Sequence, residues 1–158
     1  MASCYTYWSM SNLNSQKAIK ERSNPNIRHG RHCTFALHAH LVFVTKCRRV
    51  CFSTRALEHL QEVFTSICED FESELVEFNG EADHVHLLVH YPPKVSLSKL
   101  INSLKGVSSR IIREANYPEI RKKLWGNALW SHSYFAGSCG GAPIEILKQY
   151  IQQQESPD

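Results

Sequence analysis

Two amphipathic stripes separated by short apolar runs constrain the fold of this sequence more than any other feature. Ser53 or Thr54 can cap the first helix, and Ser96 can cap the second. Behind these caps, apolar residues recur at spacings of three and four, as on one face of a helix. The first stripe is Leu57, Leu60, Phe64, Ile67 and Phe71, and the second is Leu97, Leu100, Ile101, Leu104, Val107 and Ile111.

The runs between and around the stripes predict strands. A first strand is expected over residues 34–45, which are rich in β-branched and aromatic side chains. Residues 74–78 alternate weakly, Asn79-Gly80 is a tight hairpin signal, and the strand over 85–91 ends at two prolines. A basic linker is expected over 117–123, and a fourth strand over 128–135. A short last helix carries Ile144, Leu147 and Ile151.

The resulting order is strand, helix, strand, strand, helix, strand, helix. It predicts an α+β fold with a ferredoxin-like or RRM-like antiparallel sheet, helices on one face and one extra C-terminal helix. The other face of the sheet then remains available to a ligand. Residues 1–30 show no sustained periodicity and are expected to be a flexible arm, followed by a single domain over 31–158.

Composition limits the class of protein without naming an activity. A chain of 158 residues with 42% hydrophobic content can build one sizeable core, and its 18 Lys and Arg leave room for a basic face. The six cysteines include no CxxC pair, so we expect free thiols in a reducing cytosol. No apolar run is long enough to span a membrane, and we expect a cytoplasmic protein.

Two histidines in the third strand are candidate metal ligands. Successive strand side chains point to opposite faces, so His84 and His86 share a face, and imidazoles are good ligands for divalent metals. His-x-His also occurs by chance, and His38 with His40 is a second such pair. Asp83 is either an acceptor behind His84 or a turn residue, and the turn is the favoured interpretation.

Tyr150 and Gln154 lie four residues apart on the last helix and therefore point the same way. A tyrosine can attack a phosphate, although its phenol is mostly protonated at neutral pH and needs a metal or a base. The plainer interpretation is an amphipathic Tyr at a helix edge. Cys139, beside three glycines, is expected to pack in a tight turn rather than act as a nucleophile.

Aromatic and basic side chains could contact nucleic acid. Base stacking is open to four aromatic residues, although aromatic residues in strands are usually core: Trp125, Trp130, Tyr134 and Phe135. Phosphate contacts are predicted for a set of seven cations, any one of which could equally be a solvated surface residue. This set is Lys46, Arg48, Arg49, Lys99, Lys105, Arg110 and Arg113.

Three separated segments resemble the single-tyrosine transposases of the IS200/IS605 insertion-sequence family. They are LVFVTKCRR at 41–49, DHVHLLVHYPPKVSLSKLINSLKGVSSR at 83–110 and LWSHSYFAGSCGGAPIEILKQYIQQQ at 129–154. The resemblance covers about residues 32–155. Two departures are the arm before His32, which has no recognised counterpart, and His132, which stands where proline is expected.

The resemblance implies an HUH endonuclease fold and a chemistry that spacing alone does not give. His84 and His86 would be the paired ligands of Mg²⁺ or Mn²⁺, Gln154 the third ligand, and Tyr150 the nucleophile. Such enzymes cut single-stranded DNA ends that carry hairpins, form a 5′-phosphotyrosine link and rejoin strands through the free 3′-OH. The family also implies a homodimer in which C-terminal helices are exchanged, with the segment 137–141 as the hinge.

Three rival functions stay open at this point. A non-catalytic nucleic-acid module would give Tyr150 no role, although the aromatic RNP1 pattern is not evident in residues 85–91. A domesticated relative would cut genomic hairpin repeats with the same residues. A metal-dependent phosphodiesterase that uses water would form no covalent adduct.

Overall fold

The structure is a computed structural model that describes residues 26–124, 126, 128–139 and 144–153. These residues divide between Ala36 and Leu37 into two units. In the first unit, β1 (Arg28–His29) pairs antiparallel with β2 (Thr34–Phe35). Most of the expected arm, residues 1–25, lies outside the described residues, so the arm and its boundary stay predictions.

The second unit contains a four-stranded antiparallel sheet and four helices. The strands are β3 (His38–Thr45), β4 (Glu74–Gly80), β5 (His84–His90) and β6 (Trp130–Ser138). The helices are α1 (Thr54–Asp70), α2 (Leu97–Glu114), α3 (Pro118–Lys123) and α4 (Ile144–Gln153), with a 3₁₀ turn at Lys46–Arg48.

The sheet order is β4-β5-β3-β6, which places the first and third of these strands at the centre. This is the ferredoxin-like arrangement that the order of elements predicts, and the predicted fold class is confirmed. Helices α1 and α2 pack side by side on one face, where apolar residues of β3 and β5 meet them. We call this side the closed face.

The cap of α1 forms as expected, whereas the cap of α2 does not. Ser53 Oγ accepts a hydrogen bond from the backbone N–H of Ala56 at 3.3 Å. Ser96 makes no such capping bond, and its hydroxyl lies 3.0 Å from that of Ser98. Ser96 does occupy the predicted N-cap position, since the helix begins at Leu97, but its side chain does not form the capping hydrogen bond.

Three predicted elements differ from the structure. The first strand is interrupted, because Thr34–Phe35 pairs with β1 and the central strand begins only at His38. The basic linker over 117–123 contains α3, which begins with Pro118 in its first turn. The fourth strand begins at Trp130 and continues to Ser138, and the exposed His132 does not interrupt it.

Asn79-Gly80 is not the turn of the β4–β5 hairpin. Both residues are paired within the ladder, Asn79 with His86 and Gly80 with Val85. A Cβ at position 80 would collide with the side chain of Leu57 on α1, so this glycine allows the close approach of a helix. The connection instead comprises residues 81–83.

Two further findings concern membranes and thiols. Within the described ranges, every helix is too short or too polar to cross a membrane. Four cysteines are free thiols, namely Cys33, Cys51, Cys68 and Cys139. Burial raises the pKa of the Cys51 thiol to about 11 and that of the Cys68 thiol to about 12, so both stay protonated at neutral pH.

Candidate active site

The sheet face opposite α1 and α2 carries a concentration of histidines, and we call it the open face. Alternation along β3 and β5 sends apolar side chains to the closed face and places imidazoles on the open one. These are His38 and His40 on β3 and His84, His86 and His90 on β5. Four of the five are buried, and His40 is half-buried. The imidazoles of this face are therefore largely shielded from water.

His84 and His86 lie together on this face, as the spacing predicts. Their ring centroids are 5.0 Å apart and the rings are almost perpendicular. The Asp83 carboxylate accepts a hydrogen bond from Nδ1 of His84 at 2.7 Å, so Asp83 is an acceptor behind this ring. The favoured interpretation of Asp83 as only a turn residue was wrong.

His86 is engaged through the same ring nitrogen by a different partner. Its Nδ1 atom lies 3.0 Å from Nε2 of His40 on the neighbouring strand. Burial lowers the pKa of His86 to about 4, assisted by nearby His84 and His40, and burial also lowers the pKa of His40. His40 and His86 are therefore neutral at neutral pH, the state in which imidazole binds metals.

The Nδ1 atoms of His84 and His86 are both engaged in hydrogen bonds, which leaves Nε2 of each ring to act as a metal ligand. The two rings therefore fit a divalent cation as two of its ligands. His40 is not a third ligand of this kind, because its Nε2 is directed at His86. Over the part of the chain that the structure describes, no three His, Cys, Asp or Glu side chains form a metal-binding group. The predicted third ligand, Gln154, lies outside that part.

Helix α4 brings Tyr150 onto the open face of the same chain. Ile151 packs on Leu88 of β5, and the Asn79 amide donates to the Ile151 carbonyl at 2.8 Å. Gln152 also donates to Glu77 at 3.2 Å. Tyr150 is 52% exposed, and its ring lies perpendicular to that of His40 with centroids 6.4 Å apart. The nucleophile candidate and the histidine pair are thus separated by one imidazole.

A cavity of about 210 Å³ adjoins Tyr150. Its walls come from β6 and α4 together with His40, and they include Phe135, Cys139 and Leu147. Burial raises the pKa of the Cys139 thiol, and Cys139 packs near Leu88, which agrees with a packing role. A cavity of about 230 Å³ lies elsewhere, between α2 and α3, and contains none of the five histidines.

The aromatic candidates divide into core and surface residues. Trp130 is buried, contacts the ring of Phe43 and donates from Nε1 to Ser108 at 2.9 Å, so it is a core residue. Tyr134 and Phe135 are 44% and 56% exposed and can reach a ligand. Trp125 lies outside the described residues.

The seven candidate phosphate contacts do not form one surface. Lys46, Arg48 and Arg49 follow β3 and are exposed beside the end of α3, where Arg49 donates to the Lys123 carbonyl at 3.0 Å. Lys105 is half-buried, and it donates to the His132 carbonyl at 2.9 Å. The remaining three, Lys99, Arg110 and Arg113, are exposed on α2.

Sequence reasoning missed two groups that the structure adds. The last turn of α3 holds Arg121, Lys122 and Lys123 next to the 46–49 segment, and the basic composition of 117–123 was their only signal. His40 was noted only as part of a second His-x-His pair. Its position beside His86 follows from the pairing of β3 with β5, which sequence alone does not give.

Comparison with known proteins decides the family. The family described as Transposase IS200 like matches residues 33–154, which is most of the chain. The chain belongs to this family. The ISDra2 transposase TnpA of Deinococcus radiodurans is 27% identical over 132 residues, covering 84% of this chain and 94% of the relative. The IS200 transposase of Salmonella typhimurium is 29% identical over 119 residues, covering 75% and 77%.

Two solved structures share the fold of this IS200-like transposase. One, described as a transposase from Deinococcus radiodurans R1, has a TM-score of 0.65 and 28% identity, covering 78% of this chain and 95% of that one. The other is a REP-associated tyrosine transposase bound to a REP hairpin, with a TM-score of 0.55 and 10% identity. It covers 78% of this chain and 67% of that one.

Proposed function

We propose that this protein cleaves and rejoins single-stranded DNA at the ends of an insertion element through a covalent 5′-phosphotyrosine link to Tyr150. The observation that carries the proposal is the gathering of Tyr150, His84 and His86 on one face of the sheet, with only His40 between them. A buried histidine pair beside an exposed phenol suits metal-assisted attack on a phosphate.

In the cleavage step, the phenol oxygen of Tyr150 forms a bond to phosphorus and the bond from phosphorus to the 3′ oxygen breaks. The phenol proton leaves to solvent, and the 3′ oxygen takes up a proton and becomes the free hydroxyl. Attack by a 3′-OH on the link reverses the exchange and rejoins strands. The phosphodiester bond is exchanged rather than hydrolysed, so no energy cofactor is required.

His84 and His86, with Gln154 as the third ligand, would hold Mg²⁺ or Mn²⁺. When bound, such an ion supplies positive charge that polarises the scissile phosphate. The protein's own contribution is to keep His86 neutral by burial and to orient His84 through Asp83.

Hairpin-bearing single-stranded DNA is the proposed partner. The REP-associated transposase of similar fold is bound to a REP hairpin, and this chain exposes Lys and Arg side chains in two places, the 46–49 segment and α2. Contacts from Lys46, Arg48, Arg49, Lys99, Arg110 and Arg113 to phosphates would weaken as salt rises. Lys105 would contribute less to phosphate binding, because its ammonium group already donates a hydrogen bond to the His132 carbonyl.

The decisive experiment follows labelled element-end DNA with Mg²⁺ on a denaturing gel. Wild type is expected to carry the label, and Tyr150→Phe is expected to lose it while still binding DNA. Tyr134→Phe is the matched control, because Tyr134 is also an exposed tyrosine of this domain. The side chain of Tyr134 is 44% exposed and that of Tyr150 is 52% exposed. DNA binding without any adduct in wild type would favour a binding module, and cleavage without an adduct would favour attack by water.

We also propose a homodimer in which α4 helices are exchanged. Among the described residues, α4 is held by the Leu88–Ile151 contact and by hydrogen bonds with Asn79 and Glu77, and an exchanged helix would make the same contacts on the partner's sheet. Mixing Tyr150→Phe chains with His86→Ala chains tests this. Exchange pairs the intact tyrosine of one chain with the intact histidines of the other and restores cleavage, whereas sites built within one chain stay inactive.

A further inference from the structure

His40 has no part in the function proposed above, yet it lies between two residues that do. Its Nε2 atom is 3.0 Å from Nδ1 of His86, and its ring is perpendicular to that of Tyr150 with centroids 6.4 Å apart. The contact with His86 is directed at one particular nitrogen rather than at a ring face. His40 therefore has a means to influence which nitrogen of His86 carries the proton.

Only one proton can lie between two neutral imidazole nitrogens. If it belongs to Nδ1 of His86, then His40 accepts it, and Nε2 of His86 keeps a lone pair. If it belongs to Nε2 of His40, then His86 accepts at Nδ1, and its own proton moves to Nε2. The second arrangement blocks the nitrogen that a metal would need.

We propose that His40 is a positioning residue whose Nε2 accepts the Nδ1 proton of His86 and so keeps the Nε2 lone pair of His86 available to a metal ion. This inference rests on the proposed function, which takes His86 as a ligand. Asp83 performs the corresponding task for His84 at 2.7 Å, so each histidine of the pair has its own acceptor behind it.

His38 offers a matched comparison for His40. It lies two residues earlier on β3 and on the same open face, but its ring stacks on that of His90 with centroids 4.1 Å apart. The rings of His40 and His86 are also nearly parallel, at 19°, but their centroids are 5.3 Å apart and they meet through nitrogen atoms 3.0 Å apart. A role in packing alone would be shared by both residues, whereas control of the His86 proton belongs to His40.

The experiment has two readouts that require neither DNA nor cleavage. Long-range ¹H–¹⁵N NMR on the metal-free protein at neutral pH reports which ring nitrogen of His86 is protonated. Titration with Mn²⁺, followed by EPR, reports affinity. Wild type is compared with His40→Leu, which has no acceptor, His40→Gln, whose amide oxygen can accept, and His38→Leu.

We expect His86 of the wild type to carry its proton on Nδ1 and His40→Leu to populate the Nε2–H form. Mn²⁺ affinity should fall about tenfold to a hundredfold in His40→Leu, the usual cost of losing a partner behind a ligand. His40→Gln should lose much less, and His38→Leu should keep both the proton on Nδ1 and the affinity. Rescue by glutamine would separate hydrogen bonding from packing.

If His86 of the wild type is protonated on Nε2, the proposal is overturned. This measurement uses the wild-type protein alone, so it does not depend on whether a variant folds. A His40→Leu protein with unchanged proton position and unchanged affinity would overturn it as well. If wild type binds no Mn²⁺ while the proton on His86 still depends on His40, the inference about His40 holds. The metal-dependent function proposed above is then what fails.

Discussion

The two faces of the sheet use the same strands for opposite purposes. On the closed face, Leu41, Leu87 and Val89 are fully buried against α1 and α2. One residue along, the open face carries imidazoles, and its smaller apolar cluster joins Leu88 to Ile151 on α4. The closed face can supply most of the stability, because buried apolar area is concentrated there.

The difference shows why the open face can contain buried polar groups. His84 and His86 are 7% and 5% exposed, and buried polar groups are costly unless they are hydrogen-bonded. Asp83 and His40 provide those bonds. A stable opposite face allows this one to be arranged for binding rather than for tight packing.

The largest expected effect comes from removing the imidazole of His86 from the open face. His86→Ala removes a proposed metal ligand, and we expect cleavage to fall at least about a thousandfold, equal to about 4 kcal/mol of activation free energy. The fold should survive, because the closed face is untouched. Single-turnover cleavage rates measured with Mg²⁺, beside circular dichroism spectra, would check this. A rate close to that of wild type would remove His86 from the site.

Leu87 and Leu88 allow the faces to be compared at adjacent positions, since both are fully buried and point to opposite sides. We expect Leu87→Ala to lower the free energy of unfolding by about 3 kcal/mol, as for a core leucine. Leu88→Ala should cost less stability, because its cluster is small, but should reduce cleavage more by loosening α4. Urea denaturation and cleavage rates on both variants test the contrast, and identical profiles would contradict it.

Acid should lower the stability of the folded protein through His86 on the open face. Burial lowers the pKa of His86 to about 4 in the folded protein, against the ordinary value of 6.5 in the unfolded chain, so below pH 6.5 the unfolded chain binds a proton that the folded chain does not. The contribution of His86 to the free energy of unfolding is fully present above pH 6.5 and is lost as the pH falls toward 4. The loss is on the order of 3 kcal/mol. Denaturation of metal-free protein across this range should show a flatter slope for His86→Leu. Parallel slopes would refute this assignment.

The smallest expected effect concerns the acceptor behind His84. Asp83→Asn keeps the size of the side chain but removes its charge, and we expect Mn²⁺ affinity to fall by about tenfold, the lower end of the usual cost of losing such a partner. The amide oxygen can still accept from His84, which limits the loss. Glu81→Gln, a charge change in the same short connection, is the control. Equal effects of the two changes would point to net charge instead of the Asp83–His84 contact.

The fold could be predicted because periodicity is a local property of the sequence. The stripes behind Ser53 and Ser96 and the order of elements were sufficient for the sheet plan. Errors arose where a local signal had a nonlocal cause. Gly80 is typical of a turn, yet it lies within the ladder, where a Cβ would collide with the Leu57 side chain of α1.

From the sequence, only those parts of the site that lie within one helix or strand could be predicted. His84 and His86 share a face by strand geometry, and Tyr150 was found through the resemblance to IS200/IS605 transposases. The partnership of His40 with His86 depends on which strands are neighbours and in what register. Such contacts join residues that are 46 positions apart, and no short-range pattern contains that information.

Strict alternation along β5 also determines how the protein would respond to a single inserted residue. An extra residue after His86 would turn Leu87 and Val89 toward the open face and His90 toward α1 and α2, because each later side chain changes sides. The core and the Leu88–Ile151 contact that holds α4 would be lost in one event. Insertions in β5 are therefore expected to be absent from libraries selected for solubility alone, even when activity is never assayed.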